Sequence, residues 1–263
     1  MSRRRFLELA AVSFLTAGCR EHPPATTTTT TTTTARRREK IRAIAFDLFT
    51  LFDPTTVARV AERVLPGRAV AFCDTWRVRQ FEYSWIHAAA GQYRDFRAVT
   101  EEALSYAAEV HDVVLTEEAR ATLLCAYEEL DPWPDTRPAL EAFKRAGLVL
   151  APLANYTPTM IERLLRHGGV RDLFDHVIST DRARTFKPDP RAYALGPQVF
   201  GLARESIAFS AFGGWDAAGA RWFGYPTFWV NRLGQAKEQL RPGPDATGST
   251  LRDLAAWIER SGA

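Results

Sequence analysis

The chain has 263 residues, of which 46% are hydrophobic and 25% charged, and its formal net charge is +3. This composition is ordinary for a globular protein, and the length allows one large domain or a core with a smaller inserted domain. Much of the basic excess lies in residues 3–5 and 36–38, outside the predicted fold. The sequence therefore offers no basic face of the kind that binds nucleic acid.

The N-terminus carries two features of an exported protein. Residues 2–7 resemble a twin-arginine export signal, and the apolar stretch 9–15 that follows is too short to span a bilayer. Residues 15–19 resemble a bacterial lipobox, so we expect cleavage before Cys19 and a lipid on its sulfur. Residues 1–19 thus predict export to the periplasm or the outer face of the cell membrane. A plain cleaved signal and an unprocessed N-terminus are the alternatives.

Residues 20–39 are predicted to be a linker. They contain an unbroken threonine run, 26–34, which has nothing to bury and cannot offset its ordering entropy. Beyond this linker only Cys73 and Cys125 remain, too few for a disulfide framework and without zinc-site spacing. Two buried thiols are the simpler expectation, and pairing of the two stays open.

Hydrophobic periodicity after residue 40 predicts strands that alternate with helices. A buried strand at 41–46 precedes a helical block with helices at 57–64, 70–90, 96–110 and 117–130. The elements that follow are a helix at 136–146, a strand at 148–153, a helix at 157–165, a strand at 176–179, a helix at 189–199, a strand at 206–210, a helix at 215–223 and a strand at 227–230.

This order of elements predicts an α/β fold, a doubly wound, Rossmann-like parallel sheet with helices on both faces. The helical block after the first strand is a candidate cap domain inserted into that fold. We assign residues 40–54 and 134–263 to the core and residues 55–133 to the helical cap.

Four polar groups come after four different predicted strands. Asp47 follows the first strand, Asn155 the second, Lys187 comes a few residues after the third, and Asp216 follows the fourth. Ligands of open α/β sheets bind outside the carboxyl ends of the strands, so we expect these groups in one crevice under the cap. Lys187 would keep the Asp47 carboxylate ionised, and Asp216 would orient Lys187. An ionised, partly desolvated carboxylate is a usable nucleophile.

Several stretches in this order resemble a known family. They are Trp-Arg-Val-Arg-Gln-Phe-Glu-Tyr-Ser-Trp at 76–85, Phe-Lys-Pro-Asp-Pro-Arg-Ala-Tyr at 186–193, Gly-Trp-Asp-Ala-Ala-Gly-Ala-Arg at 214–221, and Phe-Trp-Val-Asn-Arg at 228–232. Together with Asp47 they resemble the haloacid dehalogenase superfamily, and within it the type II (S)-2-haloacid dehalogenases. The similarity runs from about residue 41 to residue 260.

The resemblance implies a hydrolase that uses no cofactor and no metal. Asp47 would displace halide from a small 2-halocarboxylic acid, or attack a similar small anion, and water would then cleave the resulting ester. Arg77 and Asn155 would bind the substrate carboxylate or the halide, and Lys187 and Asp216 would support the nucleophile. The apolar pocket wall would consist of Phe49, Phe81, Tyr193 and Trp215. Family members are often dimers, so a homodimer is also allowed.

The sequence departs from the family at several polar positions. Motif one, Asp-Leu-Phe-Thr-Leu-Phe-Asp at 47–53, is one residue shorter than the family pattern. Ala154 and Ala211 stand where the family has serine, and Gly213 stands where it has asparagine. Because oriented donors stabilise transition states, these losses predict altered activity or an altered substrate.

Two other functions stay open. Phosphotransferases of the superfamily have an aspartate where this chain has Phe49, and a metal-binding acid pair where only Asp216 stands. A diverged hydrolase acting on a phosphate or an ester is therefore an alternative with less support. The other alternative is a non-catalytic exported module that binds small carboxylates through Arg77 and Asn155.

Overall fold

The computed structural model describes residues 40–261, which contain one sheet of six parallel strands. The strands are β1 (Ala43–Phe46), β2 (Val149–Ala154), β3 (Ile178–Ser179), β4 (Ile207–Ala211), β5 (Thr227–Val230) and β6 (Ala246–Gly248). Their order is β3-β2-β1-β4-β5-β6, so the chain reverses its direction of winding beside β1. The predicted doubly wound α/β class is confirmed.

Eleven α-helices belong to the described part of the chain. They are α1 (Leu48–Leu51), α2 (Thr56–Val64), α3 (Ala69–Ala90), α4 (Phe96–Val110), α5 (Glu117–Ala126), α6 (Thr136–Arg145), α7 (Pro158–His167), α8 (Pro190–Tyr193), α9 (Leu195–Phe200), α10 (Gly214–Phe223) and α11 (Leu251–Arg260). Helices α2 to α5 follow one another without an intervening strand, as expected for the inserted helical block. The division at residues 54 and 134 stays a prediction.

The two faces of the sheet are covered by different apolar clusters. In β1, Ile44 and Phe46 join the cluster that also contains the helices of the inserted block, whereas Ala43 and Ala45 join the cluster on the opposite face. Every residue of β1 is fully buried, which explains why its sequence is continuously apolar. A charged residue directly after such a strand must therefore lie at the edge of the sheet.

The inserted block is anchored to the core by polar contacts at several points. Trp85 on α3 donates its indole N–H to the carbonyl oxygen of Lys187 (3.3 Å), and the Tyr93 hydroxyl donates to Asp181 Oδ1 (2.6 Å). Glu128, which is almost fully buried, accepts from Arg97 of the block and pairs with Arg163 of α7 (3.3 Å). These contacts tie the inserted block to the core, and the Trp85 bond brings α3 next to Lys187.

The helix predicted at 189–199 is divided into α8 and α9 at Ala194. Pro197 has no N–H to donate to the carbonyl of Tyr193 four residues earlier, and the Tyr225 hydroxyl donates to that carbonyl instead (2.6 Å). Gly196 leaves room for this contact, since a Cβ there would lie 2.1 Å from the Tyr225 hydroxyl. Pro197, Tyr225 and Gly196 together therefore account for the break between α8 and α9.

Other findings concern the chain ends and the cysteines. Strand β6 and helix α11 were not predicted. Cys73 and Cys125 are both free thiols. Within residues 40–261, no helix combines the length and apolar character needed to cross a membrane. The export signal, the lipobox at Cys19 and the threonine-rich linker lie outside the described residues, so these features stay predictions.

Candidate active site

Asp47 lies where β1 meets the short helix α1. It is the N-cap of α1, and its Oδ1 accepts a hydrogen bond from the backbone N–H of Phe49 (2.8 Å). Thr50 closes the turn by donating its hydroxyl to the carbonyl oxygen of Asp47 (2.7 Å). The carboxylate is thus fixed by its own turn, and its second oxygen is directed to the neighbouring cation.

Lys187 lies between two carboxylates. Its Nζ is 2.6 Å from Asp47 Oδ2 and 2.8 Å from Asp216 Oδ2. The Lys187 and Asp216 side chains are 1% and 0% exposed, whereas the Asp47 side chain is 15% exposed, so Asp47 is the most accessible of the three. The predicted chain from Asp216 through Lys187 to Asp47 is present in the structure.

The electrostatics of this group follow from burial and charge together. Burial alone would lower the pKa of Lys187, but the Asp216 and Asp47 carboxylates outweigh it, so that pKa is raised and the ammonium persists. Burial raises the pKa of Asp216 to about 7; Lys187 opposes this rise and Asp47 adds to it. Loss of the Asp216 charge below neutral pH would loosen the hold on Lys187.

Tyr193 does not line the cavity, and its predicted place in the apolar wall is corrected. It is fully buried beneath Lys187, where its ring packs against Phe209 and its hydroxyl donates to Asp216 Oδ1 (2.6 Å). Helix α8 directs this side chain into the cluster under the sheet rather than toward the inserted block. Its effect on the site therefore passes through Asp216.

Replacement of Tyr193 by Phe is expected to move the acid limb of the kcat/KM profile to higher pH, by about one pH unit or less. The Tyr193 hydrogen bond stabilises ionised Asp216, so its loss raises the pKa of Asp216 further above about 7. A pH–rate profile measures this limb. Tyr225→Phe is the control, because its hydroxyl bonds the Tyr193 carbonyl instead of Asp216. An unmoved limb in Tyr193→Phe would contradict the assignment.

A cavity of about 560 Å³ opens above Asp47, between the strand ends and α3. The predicted residues that line it are Asp47, Phe49, Arg77, Phe81, Asn155, Lys187 and Trp215. Its volume lies in the range of pockets that hold small organic ligands. A carboxylate at the floor and aromatic rings around it define a small-molecule site.

Arg77 on α3 is a cation without a partner in the described part of the chain. It is half-buried on the cavity wall, its guanidinium carbon is 6.0 Å from the Phe81 ring centroid, and it forms no ion pair or hydrogen bond within residues 40–261. Arg79 on the same helix behaves differently, since it pairs with Glu82 (2.8 Å) and lies over the Tyr106 ring. Arg77 is therefore available to bind an anion in the cavity, whereas Arg79 has a structural role.

The amide oxygen of Asn155 is bound by other residues of the site. Its Oδ1 accepts from the backbone N–H of Lys187 (2.9 Å) and, more weakly, from the Thr180 hydroxyl (3.4 Å). Its Nδ2 donates to no group of the described chain, and the residue lines the cavity. This geometry fixes the amide and leaves its N–H₂ group available to a ligand.

The Trp215 indole occupies the space that a side chain at position 213 would need, because residue 213 is glycine. A Cβ added to Gly213 would lie 2.7 Å from the indole nitrogen of Trp215. The same ring contacts Phe81 and Trp85 of α3, each with a centroid distance of 5.5 Å. The departure from the family at Gly213 is thus matched by an aromatic cluster that joins the inserted block to the core.

Restoring the family residue by Gly213→Asn is expected to destabilise the protein by about 1–3 kcal/mol, because the new side chain displaces the Trp215 indole. Thermal unfolding measures this loss. The double variant Gly213→Asn with Trp215→Phe offers the smaller ring more room and should recover part of the stability. A more stable single variant would contradict this packing.

Several cavity residues were not predicted as site residues. They are Leu48, Asp74, Val78, Glu82, Trp85, Phe96, Ala154, Tyr156, Phe212, Gly214, Gln235, Ala236 and Glu238. On α3, Asp74, Val78 and Trp85 lie three or four residues from Arg77 or Phe81, so helical periodicity applied to these two residues would have found them. Glu82 on the same helix lies next to Phe81 and four residues after Val78. The others come from the ends of helices and strands and from loops, and the tertiary structure decides which of them approach Asp47.

Comparison with known proteins identifies the class. A family model described as haloacid dehalogenase-like hydrolase matches residues 41–224. An (S)-2-haloacid dehalogenase of Pseudomonas sp. (strain YL) is 39% identical over 220 residues, covering 83% of this chain and 95% of that protein. Haloacetate dehalogenase H-2 of Moraxella sp. (strain B) is 40% identical over 210 residues, covering 80% and 94% of the two chains.

A solved structure agrees with these relatives. The L-2-haloacid dehalogenase of Xanthobacter autotrophicus with chloropropionic acid covalently bound has a TM-score of 0.79 and 35% identity, covering 85% of this chain and 100% of that one. The chain belongs to the haloacid dehalogenase-like hydrolases. The predicted superfamily and the predicted enzyme class are therefore confirmed, while the individual residue roles stay predictions.

Proposed function

We propose that the chain hydrolyses the carbon–halogen bond of small (S)-2-halocarboxylic acids, with Asp47 as nucleophile. The observation that carries this proposal is the juxtaposition of a fixed, Lys187-paired Asp47 carboxylate with the unpaired guanidinium of Arg77 on one aromatic cavity. The carboxylate can attack a carbon, and the guanidinium can hold the anionic end of the same molecule.

The proposed reaction has two displacements. An Asp47 carboxylate oxygen bonds to C2 of the substrate as the carbon–halogen bond breaks, and the halide leaves with the bonding electron pair. Water then attacks the carbonyl carbon of the Asp47 ester, which restores the carboxylate and releases a 2-hydroxy acid with inverted configuration and one proton. Phe49 N–H supports Asp47 Oδ1 during both steps, and the apolar cavity limits competing water.

The charged end of the substrate and the leaving group need separate anion sites. Arg77 and the N–H₂ of Asn155 are two donors of the cavity wall that have no partner in the described part of the chain. We assign them to the substrate carboxylate and the departing halide. Ala154, Ala211 and Gly213 reduce the polar lining, so the preferred substrate is proposed to differ from that of relatives with serine and asparagine there.

The relatives support this chemistry. Proteins at 39% and 36% identity carry the name (S)-2-haloacid dehalogenase, and the Xanthobacter structure has chloropropionic acid covalently bound. A phosphatase finds less support, since Phe49 occupies the position where superfamily phosphotransferases have their second aspartate. Within residues 40–261 no three His, Cys, Asp or Glu side chains are grouped so that they could hold a metal ion.

The test follows chloride release by the full-length chain from (S)-2-chloropropionate, first in ordinary water and then in H₂¹⁸O. Chloride release and ¹⁸O in the peptide that contains Asp47 are the expected results, because water attacks the ester carbonyl. Chloride release with ¹⁸O only in the product would contradict a covalent role for Asp47. Absence of release, with phosphate-ester hydrolysis that requires magnesium, would favour the phosphatase alternative. Propionate binding without turnover would favour the carboxylate-binding module.

We also propose that the protein is exported and anchored through a lipid on Cys19, with residues 20–39 as tether. The support is the sequence of residues 2–19. Cys19→Ser should abolish incorporation of labelled fatty acid in cells, and replacement of Arg3 and Arg4 by Lys should block export. Retained label in Cys19→Ser would refute the anchor. A homodimer stays a prediction.

A further inference from the structure

Tyr156 carries a buried hydroxyl group without a hydrogen-bond partner among residues 40–261. The residue is 3% exposed, and its phenolic oxygen bonds to no group of the described chain. Burial raises the pKa of this phenol well above 10, so the group is a neutral donor at physiological pH. Buried polar groups are rarely left unpaired in native proteins, and each exception needs an explanation.

The ring of Tyr156 is fixed in the wall of the cavity. It stacks on Phe96 with a centroid distance of 4.8 Å and meets Phe49 edge-on at 6.2 Å, and both neighbours also line the cavity. Its carbonyl oxygen accepts from the buried Ser179 hydroxyl (2.6 Å). These contacts hold the Tyr156 ring in place at the wall of the cavity.

The nucleophile is among the groups that act on the Tyr156 phenol. Tyr127, Asp47 and Glu128 act on its phenol in that order, and Arg77 acts in turn on the phenol of Tyr127. The Tyr156 hydroxyl is therefore close enough to Asp47 and to the Tyr127 phenol for both to affect its pKa. Arg77 affects the pKa of the Tyr127 phenol.

We propose that the Tyr156 hydroxyl donates a hydrogen bond to the substrate carboxylate that Arg77 attracts. Ala154, two residues earlier on the same strand end, lacks the hydroxyl that the family has there, and Tyr156 supplies a donor on the same stretch of chain. The identity of the anion as a carboxylate rests on the proposed function. The substrate carboxylate then supplies the hydrogen-bond acceptor that the Tyr156 hydroxyl lacks among the described residues.

The test uses propionate, an unreactive carboxylate, and bromide as separate probes of the full-length protein. Binding is followed by the fluorescence of the cavity tryptophans Trp85 and Trp215. Tyr156→Phe is expected to weaken propionate binding about 10- to 100-fold, because a hydrogen bond to a charged group is lost. Bromide affinity should be unchanged. The unfolding temperature should not fall, since the deleted hydroxyl bonds to no group of the described residues.

Ser210→Ala is the matched control, because its hydroxyl is also buried and unpaired but does not line the cavity. It should leave propionate affinity unchanged. The inference is overturned if Tyr156→Phe binds propionate normally, if only bromide binding weakens, or if the parent binds no propionate. A parent that binds propionate through Tyr156 but releases no chloride would support this assignment and refute the dehalogenase proposal.

Discussion

Replacement of Asp47 by Asn is expected to reduce halide release by about 10⁴-fold or more, which is the scale seen when a nucleophile is removed. An amide cannot form the ester intermediate. The fold should survive, because asparagine is as good an N-cap as aspartate and can accept from Phe49 N–H in the same way. Single-turnover halide release by ion chromatography measures the loss, and circular dichroism checks the fold.

Asp53→Asn provides the comparison within the same motif. Asp53 accepts from Thr55 N–H (2.8 Å) and pairs with Arg59 (3.1 Å), and it does not line the cavity. Its variant should retain halide release. If Asp47→Asn kept more than about a hundredth of the parent activity, the carboxylate would not be the nucleophile.

The position of Asp47 could be predicted because two strong signals coincide there. A continuously apolar stretch indicates a strand buried on both faces, and the first charged residue after it must lie at the sheet edge. The parallel register, with Phe46 opposite both Pro152 and Ser210, brings the following residues of neighbouring strands to the same edge. This is why Asp47 and Asn155 meet in the cavity as expected.

Side-chain direction could not be predicted in the same way. Tyr193 and Tyr156 both lie near predicted motifs, but one is packed under the sheet against Phe209 and the other faces the cavity beside Phe96. Their sequence positions do not distinguish these two environments, because each depends on which neighbouring element covers the residue. The position of the Trp215 ring beside Gly213 could not be predicted either, since it depends on the packing of that ring against α3.

The C-terminal elements were missed for different reasons. Strand β6 has only three residues, all at least partly exposed, so it carries no periodic signal. Helix α11 does carry one, because Thr250 and Asp253 form a capping box before a stripe that includes Leu254 and Trp257. A search for capping boxes would have found this helix, whereas β6 needed the tertiary structure.

Replacement of Lys187 by Met is expected to lower the free energy of unfolding by about 3–5 kcal/mol at pH about 8. The ammonium is removed from between Asp47 and Asp216, whose nearest oxygens lie 2.6 and 2.8 Å from Nζ, and the two carboxylates are left without a counter-charge. Methionine keeps much of the apolar volume, so the loss reports charge more than packing. Urea unfolding measures it, and halide release should fall about 10²-fold or more.

The pH dependence of this loss distinguishes charge from packing. Lys187 opposes the rise in the pKa of Asp216, so in the variant that pKa lies above about 7. A raised pKa in the folded state contributes stability at low pH that is lost as the pH rises through it. The deficit should therefore be smaller at pH about 5 than at pH about 8, and Asp216→Asn in the same chain should remove most of it. An equal deficit at both pH values, unrelieved by Asp216→Asn, would assign the effect to packing and contradict the proposed charge balance.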